Sequence, residues 1–279
     1  MGRFFADFFL KDGKEVVITG RNEKRLRAAG HQLGVEVTTD NARAVHGADY
    51  VLLSVPIENF EAVVKQVSPH IQAGQAVIDV TSTKVLPVEI MHRHLKNALV
   101  LGAHPLFGPG ARGIANQNFV LTPTSDEEKT LAQKIKHYLE ARGARVTLMS
   151  PQEHDETMSL VLGLSHFIAI VAADTLLSSG RLKPTETASS TTYKVLLTMI
   201  QSVLSEDPEL YASLQMSLPG VTAFETLFQS KTREWAALVE SKNRQEFIGR
   251  MKALKNKLQR VSPEFEKAYE NMYRIVEGL

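Results

Sequence analysis

The chain has 279 residues, 43% of them hydrophobic, no cysteine and a formal net charge of +1. That length admits two domains or one large one with a real core, and the near-neutral charge gives no reason to expect nucleic acid or an anionic membrane surface as a partner. Without cysteine there are no disulfides, thiolate metal sites or cysteine nucleophiles; no metal is expected, and a reducing, cytoplasmic setting fits.

Residues 4–12 place Phe4, Phe5, Phe8 and Phe9 on one helical stripe, closed by Asp12-Gly13. A buried strand is predicted over 15–19. A chain that opens with a helix feeding a strand is unusual for a parallel sheet, which is built from strand–helix–strand units. The strand ends in Thr19-Gly20-Arg21-Asn22. At this point of a dinucleotide-binding fold an acid grips the ribose of NAD, whereas an Arg favours the 2′-phosphate of NADP. Here Arg21 stands without an acid, and it reads either as that Arg or as a solvated charge at a helix start. A helix over 23–33, a short strand over 35–37 and a buried strand over 49–55 follow. That strand stops at Pro56, so Ser54-Val55-Pro56 lies at a strand end beside the expected cofactor crevice.

The next strand, 76–80, runs into Thr81-Ser82-Thr83-Lys84, whose hydroxyls and ammonium can bind substrate or simply cap a helix. Leu99-Val100-Leu101 reads as a strand that stops in the turn Gly102-Ala103-His104-Pro105-Leu106-Phe107-Gly108-Pro109. A histidine just past a strand's carboxyl end lies where open α/β sheets bind ligands, and it can take a proton at cellular pH. A strand over 118–122, a helix over 126–142 and a strand over 145–149 complete an alternation that marks a doubly wound parallel sheet, a Rossmann-like α/β domain over 1–150.

Beyond Ser150-Pro151 the pattern is helical throughout, giving an all-helical second domain over 151–279. Helices are predicted at 153–179, 186–204, 208–217, 221–241, 244–261 and 263–277. The one long apolar run, 158–177, carries Ser159, Ser165, His166 and Asp174 and is of marginal length for a bilayer. It is expected as the central helix of a bundle, with no membrane partner. Its apolarity all round predicts a homodimer built mainly by residues 151–279. The N-terminus carries no apolar segment with a small-residue cleavage site and does not read as a signal peptide.

In their common order, these motifs resemble the prephenate dehydrogenase family. The matching pieces are Met1-Gly2-Arg3, Ser54-Val55-Pro56-Ile57, Asp79-Val80-Thr81-Ser82-Thr83-Lys84, the His104 stretch, Glu153-His154-Asp155, Gly163-Leu164-Ser165-His166-Phe167 and Asp207-Pro208-Glu209-Leu210-Tyr211. The resemblance implies NAD(P)-dependent oxidative decarboxylation of prephenate to 4-hydroxyphenylpyruvate in tyrosine biosynthesis. It makes His104 the base that takes the C4 hydroxyl proton and Ser82 a partner of the same hydroxyl. Gly2, Arg21, Ser54, Val55, Pro56 and Thr81 would bind NADP, preferred over NAD. Ser82, Lys84 and His166 would contact substrate, although a core histidine bonded to a neighbouring helix is the alternative for His166.

Two departures from the family pattern stand out. The sequence begins at what looks like the last glycine of the family's glycine-rich loop, so weaker cofactor binding is expected. Ser202 stands where the family usually carries an Arg that clamps a substrate carboxylate; Lys194, on roughly the same helix face, is the candidate replacement. Arogenate dehydrogenase is the nearest rival reading. A non-catalytic dimeric or regulatory protein is the alternative of a different class. The 3-hydroxyacid dehydrogenases share the architecture but need a Lys early in the first helix of the helical domain, and none occurs between Glu153 and Ser179. Imine reductases share it too and would need a catalytic group of their own there.

Overall fold

A computed structural model of the chain describes residues 1–180, 182 and 188–278, in two compact units, Met1–Met158 and Ser159–Leu279. The first is an α/β unit with a Rossmann-like sheet and the second is helical.

In the first unit the chain runs α1 (Gly2–Lys11), β1 (Val17–Thr19), α2 (Glu23–Leu33), β2 (Glu36–Thr38), α3 (Asn41–Val45), β3 (Tyr50–Leu53), α4 (Ile57–Val67), β4 (Ala76–Asp79), α5 (Val85–His94), β5 (Leu99–Pro105), β6 (Asn118–Thr122), α6 (Asp126–Glu140), β7 (Arg145–Leu148) and α7 (Pro151–Met158). β3, β4 and β5 are parallel, β6 turns back antiparallel to β5, and β7 runs parallel to β6. Alternation along β5 sends Leu101 and Ala103 into the core cluster that holds Phe5, Phe119 and Leu131. Val100 points into the opposite cluster with Phe60, Val77 and Met91. The sheet thus has a packed layer on each face, as near-continuous apolar strands require.

The hydrogen-bonded ladder is not continuous. β1 and β2 pair only with each other, in parallel, and β1 makes no ladder with β3. In a doubly wound order another strand lies between these two, and no described residue forms one. The phenylalanine stripe of α1 packs instead on Phe107, Phe119 and Tyr138.

The second unit comprises a π-helical turn (Ser159–Leu164), α8 (Ser165–Ser178), α9 (Thr191–Leu204), α10 (Pro208–Ser217), α11 (Val221–Glu240), α12 (Arg244–Val261) and α13 (Ala268–Glu277). The predicted start of α9 at Glu186 lies outside the described residues. The π turn is held by the Ser159 hydroxyl, which donates to the Pro219 carbonyl, and by close approach of Gly163 to Val221. The stretch Pro151–Ser178 is long and apolar enough to cross a membrane, by length and composition alone. Within α8 Ala169 and Ala173 are buried, most of the other apolar side chains are partly buried, and Val171 and Leu177 are exposed.

Candidate active site

The strand ends of the first unit converge on one cluster. Asp79 at the end of β4 pairs with Gly102 of β5, and Gly102 in turn faces Thr122 of β6. Two residues further, on the same face, His104 sits opposite Val120. His104 is therefore a strand residue and not the turn residue expected. β5 continues through Pro105 because antiparallel β6 supplies ladder partners as far as Phe119. The strand holds the His104 ring almost wholly buried, 5% exposed.

Gly102 explains how a lysine enters this interior. A Cβ there would lie 2.3 Å from Thr122 Oγ1, 2.9 Å from Val88 Cγ2 and 3.0 Å from Lys84 Cδ. Only a residue without a side chain leaves that space to Lys84. Its ammonium donates to the Asp79 carboxylate and, at 2.8 Å, to the Ala103 carbonyl. Lys84, expected as a substrate-binding cation, is instead fully buried and committed to this ion pair. An unpaired ammonium would be too costly there. Asp79 also accepts the Thr81 backbone N–H at 2.7 Å, and the Thr81 hydroxyl donates to the Thr83 carbonyl. Ser82 is half-buried in the same loop.

His154 and Asp155, which the sequence presented only as a motif without a role, complete the cluster from α7. His104 Nδ1 lies 2.8 Å from His154 Nε2, and His154 Nδ1 lies 2.7 Å from Asp155 Oδ1. The Asp155 carboxylate also accepts the backbone N–H groups of Lys84 (2.7 Å) and Val85 (3.0 Å) at the start of α5, whose own N-cap residue gives no side-chain bond. A carboxylate is favoured at that helix end by charge and by hydrogen bonding. These bonds carry the first unit past Ser150 to Met158. Burial, followed by the neighbouring His154 and Lys84, holds the His104 imidazole well below the usual histidine pKa. Burial also lowers that of His154, against the pull of Asp155.

The expected cofactor residues gather at the same ends of the strands. Ser54, Val55 and Pro56 follow β3, Thr81 follows β4, and the Val80 N–H donates to the Leu53 carbonyl between them. Gly2 opens α1 against Ser54, at 3.5 Å from a Cβ built on the glycine. Arg21, exposed after β1, donates to Asn59 of α4 at 3.2 Å. No side chain caps α1, and its first turn holds no acid, the conditions under which a helix end accepts a phosphate.

In the second unit His166 packs edge-on to Tyr211, ring centroids 4.9 Å apart. Its Nδ1 is buried without a hydrogen-bond partner among the described residues, and so is Gln215 Oε1. Burial lowers the His166 pKa. Lys194 and Ser202 are both exposed on α9, and the Ser202 hydroxyl is bonded to the Met199 carbonyl.

Comparison with known proteins follows this division. Residues 5–148 match the family model described as "Prephenate dehydrogenase, nucleotide-binding domain", and residues 150–253 match "Prephenate dehydrogenase, dimerization domain". The chain is 32% identical over 255 residues to a probable arogenate/prephenate dehydrogenase of Methanocaldococcus jannaschii, covering 90% of this chain and 57% of the relative. It is 30% identical over 202 residues to the T-protein of Enterobacter agglomerans, covering 72% and 53%. The chain thus spans little more than half the length of these curated relatives. The crystal structure of prephenate dehydrogenase from A. aeolicus in complex with hydroxyphenyl propionate and NAD+ superposes with a TM-score of 0.73 at 21% identity, covering 94% of each chain. Synechocystis arogenate dehydrogenase gives 0.70 at 17% identity, covering 93% of this chain and 96% of that one. With both domain models matched in order along the sequence, the chain belongs to the prephenate dehydrogenase family.

Proposed function

We propose that this chain is an NAD(P)-dependent prephenate dehydrogenase that converts prephenate to 4-hydroxyphenylpyruvate in tyrosine biosynthesis. The observation that carries the reading is His104, buried and kept neutral among the strand ends where α/β sheets bind ligands. Bound NAD(P) supplies the acceptor for the C4 hydride. His104 takes the C4 hydroxyl proton as the carbonyl forms, and Ser82 holds that hydroxyl toward it. The bond from the ring to its carboxylate breaks, carbon dioxide leaves and the electron pair passes through the ring to the C4 oxygen, which recovers the proton from His104, so the gain of aromaticity drives the step. The residues present fit a dinucleotide: the uncapped start of α1 beside Ser54 suits a phosphate, and Val55, Pro56 and Thr81 line the neighbouring strand ends. Arg21 with no acid beside it supports NADP over NAD.

His166 is the second-unit contact to substrate, with a buried nitrogen that has no hydrogen-bond partner among the described residues. Lys194 supplies the charge that Ser202 cannot. The enzyme works in the cytoplasm as a homodimer through its helical unit. Arogenate is the second reading, because it presents the same ring and hydroxyl and because a relative's name includes it. The test is turnover by the purified chain of prephenate and of arogenate, each with NADP and with NAD, followed by formation of reduced nicotinamide. Faster turnover of prephenate with NADP is expected. Failure to oxidise either substrate would overturn the assignment, and NAD used at least as well as NADP would overturn the role given to Arg21.

A further inference from the structure

We propose that Asp155 and His154 are positioning residues that hold His104 in one tautomer, with its proton on Nδ1 and its Nε2 bare to receive the substrate proton. The inference rests on the reading of His104 as the base and adds which atom acts and what sets it. An ionised carboxylate only accepts hydrogen bonds, so at 2.7 Å from Asp155 Oδ1 the His154 Nδ1 carries a hydrogen. A neutral imidazole has one N–H, which leaves His154 Nε2 an acceptor. The 2.8 Å contact with His104 Nδ1 then needs its hydrogen from His104. Asp155 is itself immobilised by the N–H groups of Lys84 and Val85, so the start of α5 anchors the far end of the relay.

The surroundings of the relay keep both imidazoles neutral, with burial the largest cause. Lys84, in the loop after β4, faces both histidines, and its positive charge resists their protonation. Asp79 of β4 and Asp155 of α7 pull the other way on His154, and desolvation outweighs them. Once His104 takes a proton on Nε2, its Nδ1–H still points at His154 and the His154 Nδ1–H still points at Asp155. No group has to turn as the charge develops, which is how a preorganised site lowers a barrier.

The test combines long-range 1H–15N correlation spectra of protein labelled with 15N-histidine and kinetics of His154→Phe. The His104 signals are assigned by their loss in His104→Asn. At neutral pH the wild-type protein should show His104 Nδ1 as a pyrrole-type nitrogen and Nε2 as a pyridine-type one. In His154→Phe the proton should redistribute toward Nε2, and kcat should fall about 10- to 100-fold, part of the ~10²–10⁴ that a general base supplies. KM should stay within about twofold. A wild-type spectrum with the proton on Nε2 would overturn the inference whether or not the variant folds. So would a His154→Phe protein with unchanged His104 shifts and unchanged kcat. If the tautomer is as stated but His104→Asn turns over normally, the assignment of His104 as base fails, and the tautomer reading does not.

Discussion

At the scale of single residues, the roles proposed for His104 and Ser82 are separable. His104→Asn keeps a polar side chain but cannot take the proton, so kcat should fall by about 10²- to 10⁴-fold with little change in KM. Ser82→Ala removes one hydrogen bond and should cost roughly 1 kcal/mol in kcat/KM. The acid limb of the wild-type kcat profile should lie well below the usual histidine value, because burial disfavours the imidazolium. Steady-state kinetics across pH checks all three outcomes. An Asn variant with near wild-type kcat and its acid limb intact would make His104 a structural residue and move the search for the base to His166.

At the scale of elements, the site depends on how closely β4, β5, β6 and α5 approach. Gly102 is where that approach is tightest. Gly102→Ala would drive a methyl group into Thr122 of the neighbouring strand and into the path of Lys84, and overpacking of this kind costs typically ~1–3 kcal/mol. Denaturant unfolding should show a loss in that range or larger, with turnover falling as the Lys84–Asp79 pair is displaced from the Ala103 carbonyl, next to His104 in the strand. An alanine variant of unaltered stability would mean that β5 and β6 can separate more freely than their ladder suggests. Ala103, one position along on the opposite face of β5, belongs to a core cluster instead, so the argument is specific to the face that carries the cluster.

At the scale of the whole molecule, the helical unit leaves apolar surface without cover. α12 buries no residue, yet Phe247, Met251, Leu254, Leu258 and Val261 follow one another at alternating spacings of four and three, and each is exposed. That spacing is the seam of paired helices. Sedimentation at micromolar concentration should give a dimer, and Leu258→Lys should weaken it; a monomeric mass for the wild-type chain would exclude the assembly. Stability should also depend on pH. His104, His154 and His166 have folded pKa values pushed down by burial, against about 6.5 when unfolded. Between those values the unfolded chain binds more protons, so the stability present above about pH 6.5 is lost as pH falls toward the folded values. The urea midpoint should be lower at pH 5 than at pH 7, and His104→Asn should narrow the difference. A midpoint that rises on acidification would contradict the burial of these rings.

Periodicity and punctuation by themselves determined the order of strands and helices, the change to helices near Ser150, and the family to which the His104 motif belongs, because these are local properties of the chain. The apolar runs of β3 and β4 and the helical pattern of Arg244–Val261 needed no tertiary contact to be read. What pairs with what was decided only in three dimensions. β5 runs on through His104 because antiparallel β6 offers it partners, which the Gly- and Pro-rich sequence concealed. Lys84 turned from an expected ligand contact into a buried ion pair because Gly102, eighteen positions away, leaves it room. His154 and Asp155 lie about fifty residues from His104 in sequence. Only the packing of α7 against α5 brings the carboxylate, the two imidazoles and the backbone N–H groups of Lys84 and Val85 within hydrogen-bonding distance.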